Sequence, residues 1–298
     1  GWVPTIDEAV ADVPSKGNSE GIFGYGSGQK SMTNLVSNTG VVATDTTGVG
    51  TGRNDLAACE YGDDKGIFGF GHNGSSYVSM TNLVSNAGVV ATDVTGVGTD
   101  RGEIAACSFG GDKGIFGFGN SGGFNGETNL VSNAGVVATD VAAVGTARGW
   151  LAACEYDYDK GIFGFGQPTG SACDITNLVS NAGVVASDVT GVGTVRKTLA
   201  ACGYGGDKGI FGYGTTGSNT AVTNLVSNTG VVATDTTGVG TARQALAACE
   251  YGQDKGIFAY GSSSVTAVAN LVSNTGVVGT DVTGVGTARS TLAACSFN

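Results

Sequence analysis

The sequence predicts an all-β fold: a six-bladed β-propeller of four-stranded antiparallel blades, closed by pairing the C-terminal strand with the N-terminal repeat. A motif resembling "GIFGYG" recurs every 45 to 48 residues, glycine is abundant (54 of 298 residues), and the two chain ends lack complementary parts of the repeat. Periods of this length are typical of solenoids and propellers. The six motif copies begin at Gly21, Gly66, Gly114, Gly161, Gly209 and Gly256.

Each repeat contains four segments with strand character. Residues 56–61 ("LAACEY") and 66–71 ("GIFGFG") are separated by the turn "GDDK". After a variable loop, residues 81–85 ("TNLVS") and 89–92 ("VVAT") flank the turn "NAG", and residues 93–101 cross to the next repeat. The β-branched and aromatic residues of these segments favour strands, and none of them has helical periodicity. One repeat therefore predicts one four-stranded blade.

The second segment of the repeat accounts for much of the glycine. Because side chains alternate along a strand, we expect Phe68 and Phe70 on one face and Gly69 on the other. The aromatic rings of one blade would then fill the hollow that glycine leaves on its neighbour. Ala57 and Ala58 are small enough for the crowded innermost strand of such a ring.

The two ends of the repeat array predict ring closure. The first repeat lacks the "LAAC" strand, and the last one ends with it, at residues 292–297. A solenoid would keep two free ends and need capping repeats. In a closed ring, residues 292–297 pair with residues 21–26 in one composite blade, which gives six blades, a number within the usual range of 4–8.

Residues 1–18 lie outside the repeat, so the predicted organisation is an N-terminal extension or linker (1–18) followed by the propeller (19–298). Thr5 and Glu8 are spaced as in a helical capping box, which predicts a short helix. The extension either links to or covers the propeller, or attaches it to a larger assembly. Since the chain begins at Gly1 instead of Met, we expect a processed product or a fragment.

Charge and hydropathy exclude two classes of partner. The net charge of −11 repels phosphate backbones, so we expect no nucleic acid partner. No apolar run approaches the ~18 residues of a transmembrane helix, so we expect no membrane span.

The cysteines are not expected to form disulfides. Six of the seven share one repeat position, at the end of "LAAC" or "IAAC", and equivalent positions in a ring point in the same direction. A disulfide needs Cα atoms within about 7 Å and facing Cβ vectors. We expect these six to be small buried side chains and Cys173, in a variable segment, to be exposed. The six are Cys59, Cys107, Cys154, Cys202, Cys249 and Cys295.

Most charged residues recur in every repeat, which favours structural roles. Six Asp, six Arg and five Asp-Lys pairs such as Asp64-Lys65 suggest turn hydrogen bonds and ion pairs between blades. A Ca²⁺ site in a ring of six Asp is an alternative, but these residues follow the outermost segment. We therefore predict no metal and no cofactor. The recurring residues are Asp45, Asp93, Asp140, Asp188, Asp235 and Asp281, and Arg53, Arg101, Arg148, Arg196, Arg243 and Arg289.

An enzyme is not predicted. His72 is the sole histidine, too few for a copper centre with several His ligands. A glycosidase, which needs two opposed carboxylates, remains an alternative because four acidic residues lie at positions that do not recur in the other repeats. These are Asp55, Glu103, Glu127 and Asp174.

Variation among the repeats is confined to two places: the loop between the second and third strands, and the two residues after the recurring Arg. In a four-stranded blade both emerge on one face of the disc, whereas the uniform turns "YGxDKG" and "SN[TA]G" emerge on the other. Loops on a rigid scaffold commonly carry binding, although unconstrained drift is the alternative. The candidate ligand-binding residues are Trp150, Phe124, Tyr77, His72, Asn73, Glu103, Asn125 and Asp55.

The repeat order "GTAR…LAAC.YG.DKGIFGYG……TNLVSNTGVV" is similar to a kelch repeat over residues 19–298. It departs from that pattern because Leu and Val replace the Tyr and Trp of the kelch third and fourth strands. The string also resembles near-identical arrays in virion structural and fibre proteins of marine bacteriophages. These resemblances imply a propeller fold and carry over no catalytic residues.

The phage resemblance implies a virion-associated protein that acts at the virion surface or outside the cell after assembly in the host cytoplasm. We expect its variable face to bind a host-surface glycan or receptor, and residues 1–18 to contact other virion proteins. The alternatives are a purely structural or decoration module of a particle or fibre, and a designed or consensus propeller without a natural ligand.

Overall fold

The computed structural model describes residues 17–297, and the predicted helix near Thr5 falls outside them. The described chain forms eighteen strands in six antiparallel sheets, and no helix is found within this range. Each sheet is one blade of the six-bladed propeller, which confirms the predicted fold class. Among the described residues, none belongs to a helix with the length and apolar character needed to cross a bilayer.

Each blade has an inner, a middle and an outer strand, with the middle strand paired to both others. The inner strands are β3 (Ala57–Tyr61), β6 (Ala105–Phe109), β9 (Ala152–Tyr156), β12 (Ala200–Tyr204), β15 (Ala247–Tyr251) and β18 (Ala293–Phe297). The middle strands are β1 (Glu20–Gly24), β4 (Lys65–Gly69), β7 (Lys113–Asn120), β10 (Lys160–Gly164), β13 (Lys208–Gly212) and β16 (Lys255–Ala259). The outer strands are β2 (Thr33–Val36), β5 (Thr81–Val84), β8 (Phe124–Val131), β11 (Thr176–Val179), β14 (Thr223–Val226) and β17 (Ala269–Val272).

The fourth segment of each repeat runs along the outer strand as an irregular edge. In the first blade it touches β2 through two isolated bridges, Thr33 with Thr46 and Val36 with Val42. Between these bridges the fourth segment contains one residue more than β2 does. Such an extra residue is a β-bulge, which interrupts a ladder. The segment therefore lies where the sequence placed it, without a continuous ladder of its own.

The ring closes as the complementary chain ends predict. β18 pairs with β1 in antiparallel register, with Ile22 opposite Cys295 and Glu20 opposite Phe297. The composite blade therefore takes its inner strand from the C-terminus and its middle and outer strands from the N-terminal repeat.

A closed circuit of backbone hydrogen bonds reinforces the ring on the face that carries the turns between inner and middle strands, here the hairpin face. Each turn donates one N–H to a carbonyl of the next blade, and Gly17 and Ser19 supply the link where the chain is cut. Donor and acceptor pairs are Gly62 and Asp112, Gly110 and Asp159, Asp157 and Asp207, Gly205 and Asp254, Gly252 and Ser19, and Gly17 and Asp63.

Aromatic rings fill glycine hollows between blades, as the sequence predicts. Phe68 is fully buried against the middle strand of the preceding blade, where a Cβ added to Gly24 would lie 2.7 Å from the Phe68 ring. Gly69 leaves the same hollow for Phe116 of the following blade. Glycine at these positions is therefore a packing requirement.

The expectation that Phe68 and Phe70 share a face is wrong. β4 ends at Gly69, and Phe70 has φ 63°, in the left-handed region. This turn of the backbone directs Phe70 toward the following blade, where its ring centroid lies 5.1 Å from that of Phe116. The middle strand therefore sends one aromatic ring to each neighbour.

The recurring arginines are buried links between blades. Arg53 is fully buried, with its guanidinium carbon 4.5 Å from the centre of the Tyr25 ring of the first blade. Its Nε donates to the Phe70 carbonyl at 2.8 Å and its Nη2 to Asn82 Oδ1 at 2.6 Å, both in the second blade. Asp93 lies 3.9 Å from Arg53 Nη1. The predicted inter-blade ion pair is present, inside a hydrogen-bonded and aromatic pocket.

All seven cysteines are free thiols, and the six at the repeat position are buried. Burial raises the pKa of the Cys59 thiol well above its ordinary value. Its Sγ fills the space beside Gly114 of the next blade, since a Cβ added there would lie 2.5 Å from it. Cys173 is partly buried, not exposed as expected, because its Sγ packs 3.6 Å from the Phe165 carbonyl oxygen.

Candidate functional site: the variable face

The second residue after each recurring Arg forms a ring around the propeller axis. In this axial ring every residue donates its N–H to the carbonyl of its counterpart in the preceding blade, at 2.8 to 3.0 Å, and the six bonds close on themselves. Each of these residues has φ between 52° and 57°. The members are Asp55, Glu103, Trp150, Thr198, Ala245 and Thr291.

The axial ring fixes the backbone and leaves the side chains free to differ. Left-handed φ is uncommon for residues other than glycine and persists where the surroundings hold it in place. Here the six hydrogen bonds hold it, so Asp, Glu, Trp, Thr and Ala all occupy equivalent positions. The identity of each side chain is therefore not set by the hydrogen bonds of the ring.

The axial ring surrounds a shallow opening of about 70 Å³, here the axial depression. Apolar residues that follow the ring in sequence also line it: Leu56, Ile104, Leu151, Leu199, Leu246 and Leu292. Its rim is asymmetric. Asp55, Glu103 and Trp150 occupy three consecutive blades, whereas the other three carry Thr, Ala and Thr.

The loops between second and third strands lie beside the axial ring. In the second blade Asn54 and His72 exchange backbone hydrogen bonds of 3.0 and 2.8 Å, and similar bridges join the third to sixth blades to their loops. Both kinds of variable segment therefore lie on one face, as the sequence predicts. In the third blade the strands extend into a longer hairpin that carries Phe124 beside its tip.

Six of the eight candidate residues form one contiguous cluster. The His72 and Tyr77 rings meet edge to face with centroids 5.3 Å apart, and the Tyr77 ring packs beside Gly102, the residue before Glu103, since a Cβ added to Gly102 would lie 3.0 Å from the ring. The Phe124 and Trp150 rings meet likewise at 5.8 Å. The remaining member, Asp55, joins through the axial ring, since its carbonyl accepts from the Glu103 N–H.

Asn73 and Asn125 are engaged within their own loops. Asn73 Oδ1 accepts from the N–H groups of Ser75 and Ser76, both at 2.9 Å, and so caps a turn. Asn125 Oδ1 accepts from the Ser121 hydroxyl at 2.9 Å. The structure therefore places these amides on the variable face without bringing them into the cluster.

Lys197 belongs to the cluster, although it was not among the residues selected from the sequence. Its Nζ lies 4.7 Å from the centre of the Trp150 ring and hydrogen-bonds to Gln167 Oε1. Lys197 occupies the first variable position after Arg196, where other blades carry Asn, Gly, Gln or Ser. That difference was the available signal, but only the position of Trp150 in the structure shows that Lys197 contacts the cluster.

The two carboxylates of the cluster are hard to ionise. Burial raises the pKa of Asp55 to about 6, opposed by the nearby His72. Burial likewise raises the pKa of Glu103 to about 7; the hydrogen bond from Asn120 opposes this, the Asp55 charge adds to it, and Lys197 lowers it. Within residues 17–297, no Lys or Arg nitrogen lies within 4.0 Å of either carboxylate.

The hairpin face has an acidic opening of its own on the axis. The residue after each recurring Cys lines it, and Glu alternates with Ser or Gly around the ring: Glu60, Ser108, Glu155, Gly203, Glu250 and Ser296. Glu250 accepts a hydrogen bond from Asn18. In the described part of the chain, no three His, Cys, Asp or Glu side chains are grouped as a metal site requires.

No protein-family model matches the chain, and no curated protein is significantly similar to it. The kelch and phage resemblances therefore rest on the repeat strings alone, and what they imply about function belongs to the proposal below.

Proposed function

We propose that the chain is a non-enzymatic, kelch-like propeller of a bacteriophage particle whose variable face binds a glycan on the host surface. The observation that carries the proposal is the distribution of unlike side chains. They gather around the axis on one face, while the turns of the hairpin face are nearly uniform. Packing explains uniform positions, whereas loops held by a rigid scaffold are the usual carriers of binding.

The side chains of the cluster suit a sugar. Trp150, Phe124 and Tyr77 are each partly exposed, and aromatic rings pack against the apolar face of a pyranose. Asp55 and Glu103 supply acceptors for hydroxyl groups at the edge of the same surface. The arrangement is a small apolar platform bordered by polar groups.

On this proposal the protein acts at the virion surface or outside the cell, after assembly in the host cytoplasm. Residues 1–18 would join it to other virion proteins, and the variable face would point away from the particle. Neither a cofactor nor a nucleic acid takes part.

The test is the Trp150→Ala variant, measured on a glycan array and by attachment to host cells. Loss of the indole should weaken binding by ~1–3 kcal/mol, the scale of one large apolar contact. The substitution suits the backbone, because Ala245 occupies the equivalent axial-ring position with φ 54°. Thermal stability should change little.

Tyr158→Ala is the matched control, because Tyr158 is an exposed aromatic residue (43%) in a turn of the hairpin face. Its loss should leave glycan binding unchanged. Equal effects of the two variants would contradict a binding site on the variable face. Hydrolysis of a bound glycan, detected as new reducing ends, would contradict the non-enzymatic part of the proposal.

A structural or decoration role is the second candidate, because the rim of the disc exposes one valine at the same position of every repeat. These valines are 63–65% exposed, so packing within the chain does not require them. Repeated apolar groups of this kind fit lateral contacts in an assembly. They are Val41, Val89, Val136, Val184, Val231 and Val277.

Sedimentation velocity over a range of concentrations tests the second candidate. Association that rises with concentration, and that disappears when the six rim valines become threonine, would support it. A monomer at every concentration, together with glycan binding, would favour the first candidate.

A further inference from the structure

The two carboxylates of the axial depression have no ion-pair partner among residues 17–297, since no Lys or Arg nitrogen lies within 4.0 Å of either. Within residues 17–297 no hydrogen bond reaches the Asp55 carboxylate, and the Glu103 carboxylate accepts one from the neutral amide of Asn120. Asn54, which precedes Asp55, adds a buried Oδ1 without a hydrogen-bond partner. This corner of the variable face therefore holds more acceptors than donors.

Partly buried charges in proteins are normally paired with an opposite charge, bound to a metal or neutralised by a proton. A metal does not fit, since the depression presents two carboxylates and no further His, Cys, Asp or Glu. The remaining way to keep both carboxylates ionised is an organic cation.

The depression is shallow and opens to solvent on the variable face. An ammonium group is small enough to enter it. The ring of a sugar would lie across the mouth, toward Trp150 and Phe124, with one substituent pointing inward.

We propose that the axial depression binds the protonated amino group of an amino sugar, with Asp55 and Glu103 as its counter-ions. This inference rests on the glycan-binding function proposed above and narrows its ligand to glycans with free amines. The aromatic rings around the site also favour a positively charged ligand, because the quadrupole of a ring attracts a cation over its face. Lys197 already places an ammonium group over Trp150 in this way.

Oligomers of glucosamine and of N-acetylglucosamine form the matched ligand pair, because acetylation removes the charge and leaves the sugar backbone unchanged. In isothermal titration calorimetry at pH 7.5, the glucosamine oligomer should bind at least about tenfold more tightly than the N-acetylglucosamine oligomer. This difference is the scale of a charge-assisted hydrogen bond. Asp55→Asn and Glu103→Gln should each abolish most of this preference.

Asp174→Asn is the control variant, since it removes one acidic charge from a variable loop outside the depression. It should keep the full preference for the amine. If all three variants lose it equally, general attraction to an acidic surface explains the binding and the assigned site is wrong.

The pH dependence provides an independent readout. Binding requires ionised carboxylates, so protonation of Glu103 and then of Asp55 should weaken it as the pH falls through about 7 and then 6, their pKa values in the free protein. The ligand amine gains its proton over an overlapping range, but this contribution is the same for every variant and cancels when variants are compared. His72, Tyr77 and Lys197 also face these carboxylates. A His72→Gln variant should retain the loss of binding at low pH, whereas Glu103→Gln should flatten it.

The outcomes separate this inference from the function on which it rests. Equal binding of both oligomers would leave the glycan proposal standing and overturn the assignment of an amine site. If neither these oligomers nor any glycan of the array binds, both proposals fail.

Discussion

Replacing Gly212 with alanine should destabilise the propeller, and the chain itself contains the compensating change. Gly212 ends a middle strand opposite Thr223, and an added Cβ would lie 2.8 Å from Phe258 Cζ and 3.2 Å from Thr223 Cγ2. The sixth blade has alanine at the position of Gly212 and also at the position opposite, as the pair Ala259 and Ala269. There Phe23 still packs in the same cluster as Ala259, but the opposing methyl group of threonine is absent.

The magnitude follows from these distances. Carbon atoms in contact prefer about 3.5–4.0 Å, so the new methyl group would crowd the Phe258 ring most. That ring is fully buried against Tyr213, with centroids 5.2 Å apart, and has little space to move. Overpacking of this kind costs about 1–3 kcal/mol. Thr223→Ala alone should cost about 1 kcal/mol for the lost buried group.

A double-mutant cycle measures the compensation. The Gly212→Ala, Thr223→Ala double variant should be more stable than the sum of the single changes by about 0.5–2 kcal/mol, within the range for residues in contact. Thermal unfolding followed by circular dichroism resolves this, because 1 kcal/mol corresponds to about 2–4 °C in domains of 150–250 residues. The reciprocal variant, Ala269→Thr, should destabilise the sixth blade.

Strictly additive effects would refute the argument, because they would mean that the Cβ at Gly212 does not meet the Thr223 methyl group. A stabilising effect of Gly212→Ala would refute it more strongly. In that case the reduced chain entropy of alanine would outweigh the contact, and the hollow beside Phe258 would not be required.

Three further predictions concern ring closure, the thiols and the carboxylates. Deletion of residues 292–298 removes β18 and leaves an unpaired edge beside β1, so the protein should aggregate or melt well below the full chain; an unchanged melting temperature would contradict closure. Denatured, unreduced protein should titrate seven thiols, and native protein should react first at Cys173; three intact disulfides would contradict this. Asp55→Asn and Glu103→Gln should raise the melting temperature at pH 8 but not at pH 4. The raised pKa values make ionisation costly in the fold, so stability falls as pH rises from about 4 through about 7; equal shifts at both pH values would contradict it.

The architecture could be predicted from the sequence because the same packing positions recur in six copies of the repeat. The spacing of the glycines gave the middle strand, and the complementary ends gave the pairing of residues 292–297 with residues 21–26, whose register only the structure shows. A single copy would have left the strand order open. With six copies and one interruption, the chain can form a closed ring in which its first and last strands pair with each other.

The details that sequence reasoning missed are set by backbone angles. A period of two places Phe68 and Phe70 on one face, but the left-handed φ of Phe70 redirects its ring to the other blade. The bulge between the bridge of Thr33 with Thr46 and the bridge of Val36 with Val42 is likewise a difference of one residue between two segments. Neither leaves a distinctive signature in residue type.

The candidate site could be located from the sequence but not assembled from it. Departure from the repeat identified the face and six members of the cluster, because variation marks the positions that packing leaves free. It also selected Asn73 and Asn125, which hydrogen-bond within their own loops, and it passed over Lys197, which lies over Trp150. Which variable residues meet depends on the angle between neighbouring blades, and no spacing along the chain records that angle.

The axial ring explains how a repetitive protein can acquire an asymmetric site. Its six hydrogen bonds join backbone to backbone, so replacing one side chain leaves all six in place. At the buried Arg positions, by contrast, the side chain itself makes the link, as Arg53 does to Phe70 and Asn82, and every repeat keeps it. Side-chain substitutions are therefore tolerated in the axial ring of the variable face, whereas the buried arginines between the blades are kept. A carboxylate at Asp55 and an indole at Trp150 can arise in separate blades and still converge on one opening.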